Sequence, residues 1–188
     1  MKLKKAFTLV EITIVVIVSS ILFVLLAKVY INASKLYIYQ KNIKNIESDL
    51  LFFNQTLQNL ADESQIDFDA YSGYNLENTY GFTGNLYLKT DNVKYRFFLQ
   101  DWQIILEKKE NNTVEKIPLT NTGTSIVDEL KFKIIPYEDP YKVYTSKMQQ
   151  PYVEVFLSIK TRFYNPKTWE QAVKYDLQEW FNFKYYAK

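Results

Sequence analysis

The side chains of this sequence that could do chemistry are carboxylates, lysines and tyrosines, because it contains no cysteine and no histidine. Thiol nucleophiles, disulfides, imidazole bases and the common zinc ligand sets are thereby excluded. Neither a Ser-His-Asp nor a Cys-His arrangement can be assembled, and no Gly-rich phosphate loop occurs. No catalytic residue, metal or cofactor is expected, and the sequence does not read as an enzyme. What remains is charge chemistry, and one charge sits in an unusual place. Glu11 is the only ionisable residue of the run FTLVEITIVVIVSSILFVLLA, Phe7 to Ala27. A carboxylate inside an apolar helix is costly in a bilayer and so implies a partner. By spacing, the nearest partner is Thr8. A Thr N-cap with Glu three residues later is a capping box, in which each residue satisfies the other's backbone N–H.

The element that positions Glu11 is the run itself. About 20 apolar residues suffice for a helix to cross a bilayer. Lys2, Lys4 and Lys5 precede it, which places that end in the cytoplasm and the rest of the chain outside. A secretory signal peptide would have a shorter apolar stretch and small residues at its far end. Here Ala27 follows Leu25-Leu26 with no A-x-A pattern. A plain signal-anchor helix accounts for the length and orientation but gives Glu11 no reason to be there.

The segment Lys4-Lys5-Ala6-Phe7-Thr8-Leu9-Val10-Glu11 and the apolar run after it resemble the class III signal of type IV prepilins and pseudopilins. The resemblance implies cleavage between Ala6 and Phe7 by a prepilin peptidase on the cytoplasmic side of a bacterial inner membrane, followed by N-methylation of Phe7. The family usually has Gly before the cut, and Ala6 is the smallest substitution for it. The resemblance further implies that Glu11 of one subunit meets the Phe7 amine of its neighbour as an assembly salt bridge. That pairing neutralises two charges otherwise stranded in an apolar filament core. Its expected partners are other pilin or pseudopilin subunits and an inner-membrane assembly platform.

No Gly or Pro occurs before Gly73, so nothing breaks a helix between Thr8 and Leu60. Past Lys28, Leu36, Tyr39, Ile43, Ile46, Leu50, Phe53, Leu57 and Leu60 form one stripe at alternating spacings of three and four. It reads as the seat of a sheet within the same chain, and a coiled-coil seam is the other reading. The strands follow by alternation. Val93, Tyr95, Phe97 and Leu99 share a face, and Trp102, Ile104 and Leu106 begin a return after Gln100-Asp101. Leu130, Phe132 and Ile134 form another strand, closed by Pro136. Val153, Val155, Leu157 and Ile159 form a third, and Val173 to Tyr186 alternates imperfectly around Phe181 and Phe183. Asp62 to Gly84 reads as a loop.

The predicted fold is α+β: a long N-terminal membrane-spanning helix packed on an antiparallel β-sheet. The divisions are 1–6 leader, 7–27 membrane or filament-core helix, 28–60 its amphipathic continuation, and 61–188 an extracytoplasmic sheet domain. This order is similar to the J-type minor pseudopilins of type II secretion and to W-type minor pilins. The helix-breaking Pro and C-terminal disulfide of many major pilins are missing here, which favours a minor subunit.

Three weaker patterns remain. Asp67-Phe68-Asp69-Ala70-Tyr71-Ser72-Gly73 has its glycine out of register for a calcium loop and reads as an ordinary acidic loop. The 16 Tyr and 13 Phe suit a sheet core and its flanks. The mix of Lys160, Arg162, Lys167, Trp169, Lys174, Trp180 and Lys184 could contact nucleic acid, but Glu170, Asp176 and Glu179 interrupt any basic face. The net charge of +2 gives no bias towards anionic partners. Two functions are therefore carried forward: a minor filament subunit, and a membrane-anchored extracytoplasmic module for adhesion or DNA uptake that does not polymerise.

Overall fold

The computed structural model describes residues 8–72, 76–111, 113–140, 150–161 and 174–183. With no Gly or Pro to interrupt it, helix α1 runs from Leu9 to Glu63. At its end the Ser64 N–H donates to the Leu60 carbonyl at 2.8 Å, and the Ser64 hydroxyl bonds to the same oxygen. The chain divides into two compact units, one up to Lys41 and one from Asn42 onward. In the first, the part of α1 before Lys28 has Glu11 as its one charge, and its large aliphatic residues from Leu9 to Leu26 are at least half exposed.

The second unit contains the rest of α1 and two antiparallel sheets, making the chain α+β. Its strands are β1 (Gln65–Ile66), β2 (Phe82–Thr83), β3 (Asn85–Lys89), β4 (Val93–Gln100), β5 (Gln103–Glu110), β6 (Thr113–Pro118), β7 (Ser125–Ile135), β8 (Tyr152–Thr161) and β9 (Lys174–Asn182). The first sheet has the order β1-β3-β4-β5-β6 and the second β2-β7-β8-β9. The strands form two sheets where the sequence pattern predicts one, because alternation reveals which side chains share a face, not which strands share a ladder. Backbone bonds link the two, with the Val127 N–H of β7 donating to the Trp102 carbonyl at 3.0 Å. The segment expected to be a loop, 62–84, contains β1, a 3₁₀ turn over Phe68–Tyr71 and β2. Gly81 before β2 has φ +82°, and a Cβ there would lie 2.3 Å from the Ile134 carbonyl oxygen, so only glycine fits.

The α1 stripe meets this core from Ile46 onward. Ile46, Phe53, Leu57 and Ala61 are buried with Leu86, Phe97, Ile104, Val127, Phe132 and Val155 from both sheets. The Phe53 and Phe97 rings meet edge to face, 6.2 Å apart at 86°. Leu36 and Tyr39, placed by spacing on the same covering stripe, are 57% and 50% exposed. Within the second unit the stripe is seated on the sheets from Ile46 onward, while Leu36 and Tyr39 belong to the first unit. Asp49, also on α1, accepts hydrogen bonds from the Asn121 N–H at 3.1 Å and the Ser125 hydroxyl at 2.9 Å.

Candidate functional site at the start of the helix

Helix α1 begins with four N–H groups that have no partner within the helix, and the residues at its start are of the types that satisfy them. The Glu11 N–H donates to Thr8 Oγ1 at 3.3 Å. In return the Thr8 N–H donates to Glu11 Oε2 at 2.8 Å, and the Thr8 hydroxyl donates to the same oxygen at 3.0 Å. The Thr8 carbonyl already accepts from the Ile12 N–H at 3.2 Å. All of these carboxylate contacts use Oε2; among the described residues Oε1 accepts no hydrogen bond. The structure thus brings Thr8 and Glu11 together. Ala6 and Phe7, the expected cleavage position and terminus, lie outside the described residues.

Two further residues of the apolar run, Thr13 and Ser20, bear on its stability in a membrane. The Thr13 hydroxyl donates to the Leu9 carbonyl at 2.9 Å, and that of Ser20 to the Val16 carbonyl at 2.7 Å. Each hydroxyl is satisfied within its own helix, so it adds little cost to removal from water. A Thr or Ser inside an apolar helix, with a carbonyl four residues back, was the available signal. Among the described residues, α1 is the one helix long and apolar enough to cross a membrane. An all-round apolar surface of this kind is stable in lipid or among other helices, not in water.

The other candidate patterns are engaged in local ion pairs. Asp67, nearly buried, contacts Lys89 Nζ at 3.0 Å and Lys94 Nζ at 3.4 Å, and Asp69 contacts Lys89 at 3.3 Å. Burial pushes the Lys89 ammonium down, but Asp67 and then Asp69 outweigh it and leave it above the usual lysine value. Of the lysine and aromatic residues considered for nucleic acid, Lys160 pairs with Asp128 at 2.8 Å and Lys174 with Asp176 at 3.1 Å. Arg162, Lys167, Trp169 and Lys184 lie outside the described residues.

Compared with protein-family models, curated proteins and solved structures, the chain matches none of them.

Proposed function

We infer that this chain is a type IV pilin-like subunit, a structural and not a catalytic protein, and a minor pilin or pseudopilin because its sequence lacks the helix-breaking Pro and the disulfide of many major pilins. Prepilin peptidase removes residues 1–6, Phe7 becomes an N-methylated terminus, and the apolar part of α1 moves from the inner membrane into a filament core. The sheet unit is then displayed outside the membrane. The observation that carries this reading is a single carboxylate, Glu11, in the first turn of a helix with no other charge before Lys28. With Oε2 held by Thr8, the other carboxylate oxygen is the one a neighbour's Phe7 amine would meet.

One observation favours the second reading, a single-pass anchored module that never polymerises: the Thr8–Glu11 box already gives the carboxylate a role within one subunit. Glu11→Gln separates them. Glutamine keeps an acceptor for Thr8 and is accepted at this capping position, and being neutral it inserts at least as readily. The charge attraction to a neighbour's amine is lost, and in a dry helix bundle that attraction dominates. The variant should be inserted and processed normally yet be absent from sheared filaments. Wild-type incorporation of Glu11→Gln would remove the intersubunit salt bridge from the account.

A further inference from the structure

Past its apolar run, α1 continues unbroken into a segment whose charges all have one sign. Lys28, Lys35, Lys41 and Lys44 lie on it, and no Asp or Glu occurs between Glu11 and Glu47. Lys28, Lys35 and Lys41 are exposed, and Tyr30 between the first two is 75% exposed. The usual reasons for a lysine on a helix do not apply to these three. None has a carboxylate three or four residues away to pair with. None is in the last turn, where a cation would complement the helix dipole.

Helix geometry separates the lysines by their distance from the span. From Leu9 to Ala27 the helix rises about 28 Å, close to the roughly 30 Å of a bilayer's hydrocarbon core. Lys28 then stands at the edge of that core, and Tyr30 falls in the headgroup layer, where tyrosine is favoured. Lys35 is about 10 Å further along the axis and, seven residues on, shares a side of the helix with Lys28. Its flexible stem reaches back towards the headgroups. Lys41 is about 20 Å beyond Lys28 and on the opposite side. That distance exceeds the Debye length of about 8 Å at physiological ionic strength. Two lysines on one side, at headgroup level and with no acid nearby, are complementary to a phosphate that carries net negative charge. A zwitterionic headgroup offers them no net charge to attract.

We propose that Lys28 and Lys35 bind the headgroup of an anionic phospholipid where α1 leaves the bilayer. The proposal rests on the membrane reading of α1 and concerns the chain before any assembly. The test uses the full chain, which has no cysteine of its own. Val24→Cys, at a position 64% exposed on the span, carries a coumarin donor. In palmitoyl-oleoyl phosphatidylcholine vesicles, energy transfer is measured to trace phosphatidylglycerol or phosphatidylcholine bearing the same NBD-labelled acyl chain. Transfer to the phosphatidylcholine label at the level of evenly spread acceptors shows α1 in the bilayer; without it the membrane reading fails, and this proposal with it. With α1 inserted, phosphatidylglycerol should be enriched beside the helix about fivefold or more over phosphatidylcholine, the worth of one lysine at an anionic surface. Lys28→Gln/Lys35→Gln should cut that enrichment several-fold and leave transfer to phosphatidylcholine unchanged. About 1 M KCl should do the same to the wild type. Lys41→Gln should match the wild type. The proposal is overturned, with the membrane reading intact, if the two lipids are taken up equally. It is also overturned if the enrichment survives in the double variant, which would assign it to Lys2, Lys4 and Lys5 at the other end of the span. Loss of the enrichment in Lys41→Gln to the same extent as in the double variant would overturn it too.

Discussion

Replacing Phe53 by alanine tests whether the C-terminal half of α1 is an integral part of the sheet unit's core. Phe53 has no exposed surface, and its ring meets Phe97 edge to face at 6.2 Å. Phe→Ala at a fully buried site costs about 3–5 kcal/mol, of which the aromatic pair supplies about 0.5–1.5 kcal/mol. Phe52, one residue earlier on the same helix, is 48% exposed and provides the control. Its replacement by alanine should change stability by about 0.5 kcal/mol. Any gain in helix propensity from alanine is the same at both positions and cancels. For a chain of this size each kcal/mol moves Tm by about 2–4 °C, so Phe53→Ala should lower it by about 6–20 °C. The assay is urea and thermal unfolding of the full chain in micelles, followed by near-UV circular dichroism, with the urea m-value unchanged. If Phe53→Ala and Phe52→Ala have equally small effects, α1 is not the cover of the sheets and the packing account fails.

Asp49→Ala should cost about 0.5–1.5 kcal/mol, since it removes the acceptor of the exposed Asn121 N–H while the Ser125 hydroxyl keeps the Asn121 carbonyl at 3.1 Å as an alternative; amide exchange at Asn121 should accelerate. Glu154 is held below the usual carboxylate range first by the Trp180 N–H, against burial, and then by Gln178 and Lys133. Its lowered folded pKa gives stability that is present above the unfolded value of about 4.3 and is lost as pH falls through the folded value. Urea midpoints of wild type should therefore drop through that acid window, and Glu154→Gln should flatten this part of the profile.

The parts legible in the sequence are those in which neighbouring residues carry the information. The β4–β5 hairpin followed from Val93, Tyr95, Phe97 and Leu99 answered by Ile104 and Leu106. Even so, the turn centres on Asp101-Trp102, both with positive φ (50° and 64°), where Gly or Asn would be the usual signal. Strands β7 and β8 were readable because their core faces alternate cleanly; β7 also contains an irregularity between Val127 and Glu129 that alternation did not reveal. Strand β6, Thr-Val-Glu-Lys-Ile-Pro, went unread because it is almost wholly exposed and has no buried face to set a period. Strand β3 was missed in the same way, between Gly84 and the Asp91-Asn92 turn, since only Leu86 and Leu88 mark it. At the helix start, the Thr8–Glu11 pair is local and its spacing alone indicated the box. The placement of Trp180 opposite Glu154 is not local: it depends on the pairing of β8 with β9, and sequence proximity instead grouped Trp180 with nearby lysines.

The central claim is that the chain is a processed filament subunit, and the most direct test is the N-terminus of the protein recovered from its native membrane. Intact-mass measurement with N-terminal peptide mapping should find a chain beginning at Phe7 and carrying one added methyl group. A chain that retains Met1, or one that begins near Lys28, would contradict the claim.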